Sequence, residues 1–230
     1  MPVSIPQAQL LVSAIAVALA LSGAVVGWRT FLRSERWKEA EFLAREMKDF
    51  FGDERVRRAL LMLDWGLRPI QLLGDNTAER GLVVVDRMMQ VRALRPHVLL
   101  VRGSDEIGTG RFTAQEAAIR DHYDALLDGL ERFGNFLTTK LVRVETMTPY
   151  IGYWVEDIHS EAENAADAAW TASLMTYIDF YRFRGVQYLF EAFEMPIGPE
   201  SAAYRRSLAA MEDRELAEQL HRCVQEPATC

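Results

Sequence analysis

Residues 10–28 read LLVSAIAVALALSGAVVGW, nineteen positions without one charged side chain. At a rise of 1.5 Å per residue, a helix of that length is roughly 30 Å long, the hydrocarbon thickness of a bilayer. The expectation is a single transmembrane helix. Its flanks set the direction. Residues 1–9 carry no charge, whereas Arg29, Arg33, Arg36, Lys38 and Arg45 follow the run, mixed with Glu35, Glu39 and Glu41. Lys and Arg near a span hold their side in the cytoplasm, and acids count for little. The sequence therefore predicts a short non-cytoplasmic tail over 1–9, an anchor over 10–28 and a cytoplasmic remainder. A cleavable signal peptide is the rival reading. Ala18-Leu19-Ala20 suits a signal peptidase, but the basic residues lie on the wrong side of the run. Within the run, Ala16, Ala20, Gly23 and Gly27 share one helical face, and small residues there let a second helix approach closely.

Working outward, the fold class is mainly α. The anchor is followed by a helical-bundle-like domain with a small β-hairpin insertion. Residues 29–66 form membrane-proximal helices. The first carries Phe42, Leu43, Met47, Phe50 and Phe51 at helical spacing and is continuous with the anchor; Gly52-Asp53 stops it and caps the second. Region 67–112 holds a hairpin (69–73 with 82–85), a short helix over 86–94 and a loop over 102–112. Region 113–222 is helical. Thr113 and Glu116 form a capping box, and Ile119, Tyr123, Leu126, Leu127, Leu130, Phe133 and Leu137 follow at a 3.6-residue period. Further helices are expected over 147–159, 164–194 and 200–222. In the first of these, Met147, Ile151, Trp154 and Ile158 form the buried side. Residues 223–230 are a tail.

Net charge is −7, so nothing invites a nucleic-acid backbone. The only two cysteines are Cys223 and Cys230, a spacing that makes neither a zinc site nor a disulfide framework. In a cytoplasm they stay reduced; after export they could close a small loop.

Two Glu-x-x-His pairs, Glu156/His159 and Glu218/His221, resemble half of a di-iron bundle, with Glu116 and Glu161 or Glu163 available on intervening helices. Helical geometry opposes that use. Glu156 and His159 point away from the apolar side of their helix, whereas metal ligands must converge inside a bundle. His122 adjoins core residue Tyr123 and reads as a histidine at the edge of the buried face. His97 ends a helix, where a cation complements the dipole. The glycines of 103–110 lack the lysine of a phosphate loop. No catalytic residue, metal ligand or cofactor is expected.

The densest signal is an aromatic belt over 150–193. Tyr150, Tyr153, Tyr177 and Tyr181 stand in it as candidate interaction residues, with Gly23 and Gly27 as the corresponding pair in the anchor. Five segments resemble uncharacterised bacterial single-pass membrane-anchored helical proteins. They are RRALLMLDW (57–65), ALRPH (93–97), DGLERFGNF (128–136), PYIGYWVEDI (149–158) and FYRFRGVQYLFEAF (180–193). The resemblance implies an anchored helical domain and carries no activity. The functional expectation is a membrane-tethered, non-enzymatic interaction or regulatory module, an accessory subunit of a membrane complex. Its partners are the bilayer and either a membrane protein or a second copy met through the anchor. The rivals are a membrane-bound metal-dependent enzyme and a sensor or defence effector acting through its membrane segment.

Overall fold

The computed structural model describes residues 5–65, 67–72, 82–97, 112–160 and 165–225, with the side chains of 5–16 and 18 outside that description. The protein is mainly helical, with one two-stranded antiparallel hairpin. It divides into two units, Met1–Arg45 and Glu46–Cys230.

Helix α1 (Ile5–Gly52) begins in the first unit and ends in the second. In the first unit Val17, Leu19, Leu21, Val25, Val26, Trp28, Phe31 and Trp37 are all exposed. The hydroxyls of this stretch bond inward: Ser22 Oγ donates to the Leu19 carbonyl and Thr30 Oγ1 to the Val26 carbonyl, each at 2.9 Å. Among the described residues no helix is long and apolar enough to cross a membrane. The fold therefore lends no support to the transmembrane assignment of 10–28, a run whose side chains fall partly outside the described residues.

In the second unit, Met47 and Phe50 of α1 are buried. Asp53 then caps α2 (Glu54–Asp64), accepting from the Arg55 backbone N–H at 2.8 Å. The apolar stripe of α2 (Val56, Ala59, Leu60, Met62, Leu63) packs on α4 (Ala114–Thr138). Strands β1 (Leu67–Gln71) and β2 (Leu82–Asp86) pair with Pro69 opposite Val84. Ile70 and Val85 point inward, and Leu67, Leu82 and Val84 point out. Asp86, the last strand residue, also caps α3 (Arg87–Leu94), accepting from Met89 N–H at 2.7 Å. The capping box of α4 is present in full. The loop expected over 102–112 lies outside the described residues except for Phe112.

Helices α5 (Val144–Ser160), α6 (Ala165–Phe180), α7 (Arg184–Ala192), α8 (Ala202–Ala210) and α9 (Arg214–Gln225) complete the unit. α6 is its centre. Every residue from Ala168 to Ile178 is buried, because α3, α7, α8 and α9 all pack on it. Each large apolar side chain so enclosed contributes roughly 1.5–3 kcal/mol.

Two expected helices prove to be pairs. The 164–194 segment breaks at Arg182, whose backbone turns left-handed (φ 61°) while Phe183 N–H bonds back to the Ile178 carbonyl. The 200–222 segment breaks at Met211–Asp213, where Asp213 caps α9 through Leu216 N–H at 2.9 Å. In α5 the buried side is Met147, Ile151, Val155 and Ile158. Trp154 sits at its edge and is only half-buried.

Candidate interaction surface

Two arginines, Arg87 buried and Arg120 half-buried, organise the second unit, each closing the free carbonyls at a helix C-terminus. Arg87 of α3 donates to the Met62 and Leu63 carbonyls that end α2, at 3.0 and 3.1 Å. Its Nε donates to Asp167 Oδ1 at 3.1 Å, and its guanidinium lies 4.4 Å from the Trp170 ring centre. A polar chain continues from it. Tyr123 Oη donates to Gln90 Oε1 at 2.7 Å and accepts from Trp170 Nε1 at 3.0 Å. Buried polar groups are costly without such partners, so this chain fixes α2, α3, α4 and α6 in one arrangement.

Arg120 of α4 plays the same part for α3, donating to the Ala93 and Arg95 carbonyls at 3.2 Å. Its guanidinium is enclosed by the rings of Phe112, Tyr177 and Tyr181, at 4.8, 4.6 and 4.9 Å. Tyr177 donates to Asp124 Oδ1. Burial raises the pKa of both, so the phenol stays protonated and donates. Tyr181 meets His97 Nδ1 at 2.6 Å. The cation cage is thus filled by the chain's own arginine.

The candidate interaction residues separate accordingly. Tyr177 is buried within that cage, and Tyr181 is half-buried beside it. Tyr150 and Tyr153 of α5 are exposed. An added Cβ at Gly23 or Gly27 meets nothing within 4 Å.

Tyr153 is tied to the end of α2, and the hairpin nearby in sequence to that end presents an apolar face that the sequence did not disclose. The Tyr153 hydroxyl donates to Asp64 Oδ1 at 2.7 Å, the residue next to Trp65. Trp65 is 53% exposed, with the Arg68 guanidinium 5.1 Å from its ring centre. The outer face of the hairpin carries Leu67 and Leu82, each 68% exposed, and Val84, 53% exposed. These positions share one side because cross-strand partners do: Leu67 faces Asp86, Pro69 faces Val84 and Gln71 faces Leu82. Below Tyr153, Asp157 Oδ2 is buried and accepts no hydrogen bond. Burial, and then the charge of Asp64, raise the Asp157 pKa. In sequence, LVVVD gives a strand but not its face, since both sides of it are apolar.

The Glu-x-x-His pairs do not converge. Glu156, Glu218 and His221 are exposed, and His159 is half-buried with its pKa lowered by burial and then by Arg206. Glu116 is occupied by its capping box and by Arg92, while Glu161 and Glu163 lie outside the described residues. Among the described residues no group of three His, Cys, Asp or Glu is placed to hold a metal ion. His122 is not at an edge but buried, and both its ring nitrogens lack partners. Cys223 is buried and disulfide-bonded; Cys230 lies outside the described residues.

Comparison with protein-family models, with curated proteins and with solved structures finds no match for this chain. Nothing there bears on the resemblance drawn from the five sequence segments.

Proposed function

We propose that this chain is a membrane-tethered, non-enzymatic interaction module, an accessory or regulatory subunit of a membrane complex. The single observation that carries the binding role is the exposed apolar outer face of the hairpin, formed by Leu67, Leu82 and Val84. Contiguous apolar surface of this kind, rimmed by polar groups, is characteristic of interaction sites. The tether rests on the uncharged run over 10–28 and on the exposed apolar side chains within it, which water disfavours. Tethering would confine the second unit to the membrane plane and raise its effective concentration for a partner there. Gly23 and Gly27 would give the tether a face for a second helix.

The test is co-purification after mild detergent extraction, wild type against Leu82→Ser/Val84→Ser. Both side chains are exposed, so the variant keeps its core. A partner held by the wild type and lost by the variant is the expected result. An unchanged set of co-purifying proteins would remove the hairpin face from the binding role.

One observation favours a second reading of the compartment. A disulfide at Cys223 fits an oxidising environment, which the exported form would meet and the cytoplasmic form would not.

A further inference from the structure

Helix α1 carries a charged stripe of definite composition within its first unit. Arg29, Arg33 and Arg36 are spaced i, i+4, i+7, which at 100° per residue places them within roughly 60° of one another. Leu32 and Trp28 border the stripe on one side and Trp37 on the other. All three are exposed, with Trp28 at 63% and Trp37 at 70%. The one acid between Trp28 and Trp37, Glu35, lies on another side of the helix and is taken by Lys38 at 2.8 Å. Further on, Arg45 is paired with Glu41 at 3.8 Å. Among the described residues Arg29, Arg33 and Arg36 make no ion pair.

We infer that this stripe binds the headgroups of anionic phospholipids, with Trp28 and Trp37 seated at the membrane–water boundary. The inference rests on the membrane reading of the preceding run. Three points of chemistry select this occupant. A guanidinium presents a planar fork of donors that matches phosphate oxygens in pairs. Tryptophan concentrates at the headgroup level, where its ring is apolar and its N–H is wet. The stripe directly follows the exposed apolar residues Leu19, Leu21, Val25 and Val26, so a leaflet that takes those side chains meets the arginines next. An anionic leaflet attracts each basic residue near its surface by about 1 kcal/mol, roughly fivefold in relative affinity.

The experiment uses the full chain reconstituted into phosphatidylcholine bilayers holding a minor fraction of phosphatidylglycerol. Either lipid is supplied with brominated acyl chains, and tryptophan quenching is read at equal mole fraction of the brominated species. Brominated phosphatidylglycerol is expected to quench several-fold more strongly than brominated phosphatidylcholine. The preference should fall with added salt and disappear in Arg29→Gln/Arg33→Gln/Arg36→Gln, which still floats with the vesicles. Equal quenching by the two lipids in the wild type would overturn the headgroup site and leave the tether standing. So would an undiminished preference in the triple variant. A wild-type chain that neither floats with the vesicles nor is quenched by either lipid would overturn the tether itself, and the headgroup site with it.

Discussion

His122 holds one of the least comfortable positions in the second unit. It is 4% exposed, and neither ring nitrogen has a partner. Burial, and then the charge of Arg58, lower its pKa from 6.5 to about 4; Asp121 opposes the shift, Arg55 adds to it, and Asp53 opposes it. The sign follows directly. Between about pH 6.5 and 4 the unfolded chain takes up a proton that the folded chain refuses. Stability is therefore whole above that window and is lost as pH falls through it, by about 3 kcal/mol in all. Asp124 and Asp157, whose carboxyl pKa values are raised, act in the opposite direction as pH falls. Comparison with His122→Leu isolates the histidine. That variant removes two unsatisfied nitrogens at similar volume, so it should be more stable than wild type at pH 7 by about 1–2 kcal/mol. Its margin should widen toward pH 4.5. Denaturant unfolding at the two pH values checks this, and a margin that stays constant would mean that the imidazole finds water or a partner.

Secondary-structure elements meet most closely where α4 crosses α7. A Cβ added at Gly134 would stand 1.8 Å from the Gly185 carbonyl oxygen, and one at Gly185 would stand 2.5 Å from the Glu131 carbonyl oxygen. Both obstacles are backbone, so neither can swing aside. Glu131 uses the same approach to cap α7, whose own N-cap residue Phe183 offers no side-chain acceptor; Val186 N–H donates to Glu131 Oε2 at 2.9 Å. Gly134→Ala should destabilise the full-length protein by about 3 kcal/mol or more, whereas Gly52→Ala, where added bulk meets nothing, should be tolerated. Thermal melts of the two variants test the crossing, and equal melting temperatures would refute it. Helix ends explain what the sequence left hidden. Lys140, Arg182 and Glu194 each adopt a left-handed backbone, at φ 58°, 61° and 63°. Each closes a helix through paired bonds: Leu141 to Phe136, Phe183 to Ile178 and Met195 to Phe190. Glycine ordinarily marks such ends, and none marks these. The α6–α7 break is therefore illegible, while the side-chain caps at Asp53 and Thr113 allow those two helix starts to be placed from sequence alone. The outer hairpin face is illegible because both sides of LVVVD are apolar, and the residues of the Arg87–Gln90–Tyr123–Trp170 chain are so for another reason. Those four lie far apart in sequence, and no local period joins them. Lys140→Gly should relieve the strain and add up to about 1 kcal/mol; an unchanged melt would mean that the αL turn costs nothing there.

At the scale of the whole molecule, two chemical signals point to opposite compartments. The arginines after residue 28 favour retention of the second unit on the cytoplasmic side. The disulfide at Cys223 favours an oxidising one. They differ in weight. On the tethered reading the basic residues would act during insertion, before the chain has folded, and five of them follow the run within a short distance. A bond that ties a C-terminal thiol constrains little of the core, so its loss in a reducing compartment is readily borne: the helices it adjoins are held by Leu216, Ala217 and Leu220 packing toward α6. The expected outcome is that a reporter fused after Cys230 behaves as cytoplasmic. In intact cells Cys223 should then be found as a free thiol, and the disulfide should form only when the protein is purified in air. Cys223 is buried, so alkylation with a membrane-permeant maleimide, compared with an impermeant one, is read at Cys230, the other cysteine of the chain. Permeant reagent alone modifying the protein would support the tethered cytoplasmic module. A thiol blocked against both reagents until reductant is added, with a reporter active only outside the cytoplasm, would reverse the orientation. The hairpin face would then have to find its partner on the far side of the membrane.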